Sequence, residues 1–360
     1  MLPQNLIEAE TFARARLARV VYDYYRSGAW DETSLRRNRE AFEQIDLWPR
    51  VLVDVSSRDA GTTLLGTRVS APILAAPTAF HRLAHPDGEV ATARAVAAAG
   101  SIMVLSSLST TAVEDVVAQG ATVWFQLYAN KDPGITQALT DRVIAAGCKA
   151  LMLTADTPVW GTRERDQRNG FRLPHGLGAP NLASLDPVGE LKSRTGSAMC
   201  GAFDWMLHPA LSWQELERIC ARSPVPVLLK GVMRGDDSAR AIECGCAGVV
   251  VSNHGGRQLD GTPATIESLP KVVEAVAGRG LVLVDGGVRR GTDVLKALAL
   301  GADAVQIGRP QLWGLACGGE EGVRLIFDQL ARELDISMAL AGCRSLTEIT
   351  ADLVRWRSAP

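Results

Sequence analysis

From residue 70 onward the sequence repeats one unit: a short apolar run, a polar residue or glycine, then a stretch of helical composition. The runs cover 72–76, 102–105, 123–127, 150–153, 225–229, 247–251, 281–284 and 304–307, eight in all. Between them lie 88–99, 111–119, 135–146, 213–221, 236–244, 266–276 and 291–300, with 321–334 closing the set. These stretches are rich in Ala, Leu, Glu and Arg, and several end at Gly, as helices do. A run that is apolar throughout, rather than alternating, marks a strand covered on both faces, and strands joined by helices run parallel. Eight of them predict an α/β fold closed into a (β/α)8 TIM barrel.

An open doubly wound sheet is the alternative. It would need a glycine-rich phosphate loop after its first strand, and Ala75-Ala76-Pro77-Thr78-Ala79-Phe80 is not one. At 360 residues and 47% hydrophobic composition the chain can enclose one large core, so 1–360 reads as a single domain. Within it, 1–69 is a helical extension, 70–335 the barrel and 336–360 a tail. Residues 4–45 of the extension read as helix, and Leu17, Val20, Val21, Tyr24 and Tyr25 are spaced to share one face, which turns Tyr24 inward. The segment 161–199 is long, rich in Gly and Pro, and without an apolar block; a structureless connection of that length predicts a lid, placed at 161–205.

A net charge of -2 with interspersed signs leaves no electrostatic footprint for nucleic acid. No stretch is apolar enough for a membrane span, and no basic-then-apolar leader opens the chain. The seven cysteines form no CxxC pair, so they read as reduced thiols rather than a metal site, and the expected location is cytoplasmic.

In such a barrel chemistry collects where strands end. Here the ends carry Thr78 and Ala79, Ser106, Gln126 and Tyr128, Thr154 and Asp156, Lys230, His254, Asp285 with Gly286 and Gly287, and Gly308 with Arg309. Nearly every strand ends in a hydrogen-bonding group, which points to a large polar ligand above the barrel. The densest stretch is Ser252-Asn253-His254-Gly255-Gly256-Arg257-Gln258-Leu259-Asp260-Gly261. It places a titratable imidazole and a guanidinium three residues apart, which suits a substrate with a removable proton and a carboxylate. The bland alternative is a loop in which Asp260 simply pairs with Arg257. The segments 284–291 and 307–310 offer glycine N–H groups with Arg289 and Arg309, a pattern that indicates a phosphate but not what carries it. Glycine turns with surface arginines are the alternative there.

These motifs recur in the order found in the FMN-dependent 2-hydroxy acid oxidases and dehydrogenases, the group of glycolate oxidase, L-lactate oxidase and mandelate dehydrogenase. The chain resembles that family from about residue 17 to residue 349. The resemblance implies FMN, with its phosphate on Gly286, Gly287, Arg289, Gly308 and Arg309, Asp285 near its ribityl chain, and its ring against Thr78, Ala79, Ser106, Gln126 and Thr154. Lys230 would lie at the ring edge, where a cation favours electron acceptance. It ends the buried run 227–229, and burying an ammonium is expensive without a partner.

On the substrate side the resemblance implies that Arg257, Tyr24 and Arg163 hold a carboxylate and that Tyr128 bonds the 2-hydroxyl. His254 would be the base, with Asp156 orienting it. Arg163 sits in what reads as an exposed loop, and Tyr24 taken alone would read as a core aromatic. Leu108, where glycolate oxidases commonly carry Trp, and Phe203 resemble the bacterial L-lactate oxidases, which implies L-lactate or a larger L-2-hydroxy acid, aromatic ones such as mandelate included. Reoxidation by O2 to hydrogen peroxide and a homotetramer complete what the resemblance implies. A quinone or protein acceptor, a glycolate oxidase, and a flavin-free barrel isomerase or aldolase using Lys230 as a Schiff-base amine are the alternatives.

Overall fold

A computed structural model describes residues 3–183, 185 and 204–357. Eight strands form a closed barrel, and each lies on one of the expected runs. They are β1 (Ile73–Ala75), β2 (Ile102–Ser106), β3 (Thr122–Leu127), β4 (Leu151–Thr154), β5 (Val227–Val232), β6 (Gly248–Val251), β7 (Leu281–Asp285) and β8 (Ala304–Ile307). All neighbours pair in parallel, and β8 pairs with β1 to close the ring.

Because side chains alternate along a strand, each run feeds two cores. Leu74, Val104, Trp124, Met152, Leu228, Val250 and Leu283 fill the interior, while Ile73, Met103, Val123, Leu151, Val227, Val249 and Val282 pack outward under the helices. Leu64 and Val69, from an antiparallel hairpin ahead of the barrel, join the interior cluster near the strand N-termini and close that end. One step of two further along seven of the eight strands, the interior row turns polar: Ser106, Gln126, Thr154, Lys230, Ser252, Asp285 and Gln306, with Ala76 in the eighth place. That row floors the open end.

The extension departs from a single helical stretch. Three helices replace it: α1 (Leu6–Arg16), α2 (Arg19–Arg26) and α3 (Thr33–Glu43). Leu17 and Ala18 have extended backbones (ψ 143 and 139) and break α1 from α2, so Leu17 does not share the α2 face; Tyr24 and Tyr25 on that face are buried. After α3, the strand Ile45–Leu47 pairs antiparallel with Val354–Trp356, joining the extension to the C-terminal segment. The expected closing helix is also longer. The span Arg309–Ala341 is two helices parted by non-helical backbone at Gly318 and Gly319, where Gly319 has φ 57, and the second runs past residue 335.

The segment after β4 is a second correction. Its described part is not structureless: it contains the helices Glu164–Arg168 and Pro180–Ala183 and buries Phe171 and Leu182. Phe171 stacks on Tyr24 with ring centroids 4.2 Å apart and planes 7° from parallel. Stacking of two large aromatic faces accounts for the docking of this segment. Residues 186–203, which include part of the expected lid and Phe203, lie outside the described residues.

Candidate active site

The polar row is wired together before any ligand enters. Ser106 Oγ donates to Gln126 Oε1 (3.2 Å) and Gln126 Nε2 donates to Thr154 Oγ1 (2.9 Å), which fixes the amide's orientation. Lys230 Nζ lies 3.1 Å from Asp285 Oδ2 and donates to Ser252 Oγ at 2.8 Å. Ser252 in turn donates to Asp285 and accepts the His254 N–H at 3.1 Å, so its hydroxyl is saturated. Asp285 is therefore the partner that a buried Lys230 requires. Burial pulls the ammonium's pKa down, but Asp285 and Asp156 outweigh it and hold Lys230 above its ordinary value, charged. Gln306, on the same floor, has a buried Oε1 with no partner among the described residues.

Beyond β6 the chain makes three successive left-handed residues, His254 (φ 58), Gly255 (φ 63) and Gly256 (φ 73). The turn thus begins on the histidine itself, an unfavourable conformation for a residue with a Cβ. It is held from several sides. Asn253 and Asn38 of α3 exchange amide hydrogen bonds (2.8 and 2.9 Å), and Gln258 Nε2 donates to the carbonyls of Asp156 and Val159. Asp260 accepts from the N–H groups of Thr33 and Ser34 at the start of α3, so it caps that helix and does not pair with Arg257.

His254 Nδ1 is 2.9 Å from Asp156 Oδ1, and Thr157 donates to the same carboxylate oxygen. Burial pushes the Asp156 carboxyl up, but His254 and Lys230 together pull harder and leave its pKa below the usual range, so it is ionised. A carboxylate on Nδ1 fixes an Nδ1–H tautomer and leaves Nε2 as the basic nitrogen. Arg257 donates through Nη1 to the carbonyls of Tyr24 (2.8 Å) and Ser27 (2.9 Å), and its guanidinium lies 5.2 Å from the Tyr24 ring centroid. Arg163 is only 5% exposed and paired with Asp166 at 2.8 Å, so the expected exposed context is wrong; the helix Glu164–Arg168 that carries Asp166 folds it inward. Burial and then the neighbouring Arg163 push the Arg257 pKa down. Two cations share this wall, and an anion between them would offset their mutual repulsion.

A cavity of about 480 Å³ gathers these groups. Its wall includes Tyr24, Leu108, Tyr128, Arg163, His254 and Arg257, together with Thr78, Ala79, Lys230, Asp285 to Gly287, Arg289, Gly308 and Arg309. Ser106, Gln126 and Thr154 line it as well, and Asp156 stands behind His254. Every expected site residue that is described lines or adjoins this cavity. Trp160, Gln306, Ser252 and Asn38 were not expected. Ser252 and Gln306 were findable, two places beyond Val250 and Ala304 on interior rows; nothing in the spacing marks Asn38 or Trp160.

FMN fits this wall on three observations. Gly286 and Gly287 line the cavity with φ 92 and 88, and a Cβ on Gly287 would sit 1.9 Å from the Asn38 carbonyl oxygen, so only glycine can hold that turn, and backbone approaches the cavity with no side chain in the way. Burial pushes the Arg289 pKa down to about 10 and puts Arg309 well below its ordinary value, with Arg257 and Arg289 adding repulsion to Arg309. A phosphate would offset that like-charge strain. The polar floor from Ser106 to Gln306, with its unpartnered acceptor, suits a flat ring with polar edges. Arg309 also braces the site: its three nitrogens donate to the carbonyls of Tyr25, Gly255 and Ser27.

The comparisons agree with this geometry. Residues 13–356 match the family described as FMN-dependent dehydrogenase. The chain is 51% identical to an L-lactate oxidase of Nostoc sp. over 352 residues, covering 96% of each chain. It is 49% identical to glycolate oxidase 3 of Arabidopsis thaliana, over 96% of this chain and 94% of that one. A solved structure of mandelate oxidase with (S)-4-hydroxymandelic acid superposes with TM-score 0.92 at 40% identity, covering 98% of each chain. The chain belongs to the FMN-dependent dehydrogenase family, and its cofactor is FMN.

Proposed function

We propose that this enzyme oxidises an L-2-hydroxy acid, L-lactate or a larger one, to the 2-oxo acid, and that O2 takes the electrons to give hydrogen peroxide. The observation that carries this is the pairing of a carboxylate-backed imidazole with two inward-facing guanidiniums on the wall of one cavity. Bound FMN supplies the two-electron acceptor; Gly286, Gly287, Arg289 and Arg309 would hold its phosphate and Lys230 its polar edge. Arg257, with Arg163 and Tyr24, grips the substrate carboxylate and so fixes the carbon that reacts. Burial and then Asp156 push the Tyr128 hydroxyl's pKa up, which keeps it protonated as a donor to the substrate oxygen. His254 takes the proton that leaves the substrate. Asp156 keeps the ring oriented and offsets the charge it gains.

Leu108, 3% exposed, lines the cavity where a larger side chain would shorten it, which supports a substrate longer than glycolate. Relatives named for lactate, glycolate and mandelate oxidation bracket the choice. The test is kcat/KM on glycolate, L-lactate and L-mandelate with peroxide measured alongside. Preference for glycolate, or turnover with a quinone and no peroxide, would overturn the substrate or the acceptor respectively. A homotetramer in the cytoplasm completes the proposal; the six described cysteines, all free thiols, support a reducing compartment.

A further inference from the structure

Behind the cavity wall lies a second group of buried ionisable side chains that the reaction does not use. Glu89, on the first turn of the helix Gly88–Ala98, is fully buried. Its Oε1 accepts the backbone N–H groups of His81 (3.0 Å) and Thr110 (2.8 Å), and its Oε2 accepts the hydroxyls of Thr110 (2.7 Å) and Thr111 (2.8 Å). His81 belongs to the loop after β1 and the two threonines to the loop after β2. One carboxylate therefore binds two loops, of which the first puts Thr78 and Ala79 into the cavity wall and the second puts Leu108 there.

His81 carries the tie on to Thr78. Its Nε2 is 2.6 Å from Thr78 Oγ1 and its Nδ1 2.9 Å from Thr92 Oγ1. Gln311 Nε2 donates to Thr78 Oγ1, and Thr92 Oγ1 donates to the Gly88 carbonyl. A carbonyl only accepts, so Thr92 spends its hydrogen on Gly88 and must take one from His81 Nδ1–H; burial pushes the imidazole's pKa down, which leaves Nε2 bare to accept from Thr78. The partners thus assign the Nδ1 proton, and burial favours the neutral ring. Between Thr78 and His81, Phe80 has φ 59, and its N–H donates to the Leu108 carbonyl at 3.1 Å. A left-handed phenylalanine persists only where its surroundings impose it. Apolar packing would serve stability as well as a buried carboxylate does; what four donors on one carboxylate add is a fixed geometry between their loops.

We propose that Glu89 and His81 are positioning residues that hold the Thr78–Ala79 turn against the flavin and Leu108 against the substrate's 2-substituent, so that one buried carboxylate sets cofactor seating and substrate selectivity together. The proposal rests on the reading above that FMN and substrate meet those two wall segments.

Five variants test it in the reconstituted enzyme, with FMN Kd and the ratio of kcat/KM for L-lactate to that for L-mandelate as readouts. Glu89→Ala raises the FMN Kd about tenfold and shifts the ratio several-fold, roughly what one lost set of buried hydrogen bonds yields. His81→Phe raises the Kd and leaves the ratio near its wild-type value; Thr111→Val does the reverse. Glu89→Gln, which keeps an oxygen on both backbone donors, restores most of each. Should Glu89→Ala fail to fold, the two one-sided variants carry the test. A lowered melting temperature with both readouts at wild-type values would overturn the proposal and leave Glu89 a structural residue. Arg289→Ala separates the levels: if it loses FMN while the other variants do not, only the positioning role falls, and if it too keeps wild-type affinity, the site reading falls and takes the proposal with it.

Discussion

His254 and Asp156 meet through a single short contact, and Asp156 Oδ2 has no partner among the described residues, so the carboxylate's orienting effect passes through one oxygen. Replacing the base by His254→Gln should lower the rate of flavin reduction by at least about 10²-fold while FMN stays bound, a loss typical for a positioned general base and readable by anaerobic stopped flow. Asp156→Asn should cost stability with a particular pH dependence. The folded Asp156 pKa lies below its ordinary value, so its contribution is present above the ordinary carboxylate range and fades as pH falls through the folded pKa. Melting curves should therefore show wild type above Asp156→Asn at neutral pH and the gap narrowing under acid; a gap that widens there would contradict the assignment. Lys230→Met leaves Asp285 buried without its cation and should destabilise by about 3–5 kcal/mol in urea unfolding, whereas adding Asp285→Asn should recover part of that loss.

At the scale of elements, the strands were legible because each is a run too apolar to face water, and their period of two also decides which side chains reach the cavity floor. The loop motifs were legible because glycines, a histidine and arginines fall where strands end. The breaks were not. Nothing in Leu17-Ala18 forbids helix, and the turn between α1 and α2 is set by tertiary contacts such as the 5.4 Å approach of Tyr22 to Trp313. Likewise the descent of Phe171 onto Tyr24 joins residues far apart in sequence, and no local pattern announces it. The α3 helix is legible as helix but not as a wall of the site, because its role lies in Asn38 meeting Asn253 and Gly287. Gly287→Ala tests that packing: with the Asn38 carbonyl 1.9 Å from the added carbon and φ 88, the turn must open, and FMN content after purification should fall together with stability. Full FMN occupancy in that variant would show the cradle to be looser than its geometry implies.

For the whole molecule, closure of the barrel is what turns eight separate strand ends into one chemical wall. Residues from all eight strand ends, from the extension and from the segment after β4 face the same cavity, so the site exists only in the closed ring. Substrate choice and electron acceptor lie at the limit of legibility, since no strand or loop motif fixes them; in the proposed reading they turn on a few lining positions such as Leu108. The most direct measurement is the visible spectrum of the purified protein during anaerobic addition of L-lactate, followed by air. A yellow protein whose flavin absorbance bleaches with the acid and returns with oxygen, releasing peroxide, is the predicted result. A flavin spectrum unmoved by L-lactate, glycolate and L-mandelate alike would contradict the account.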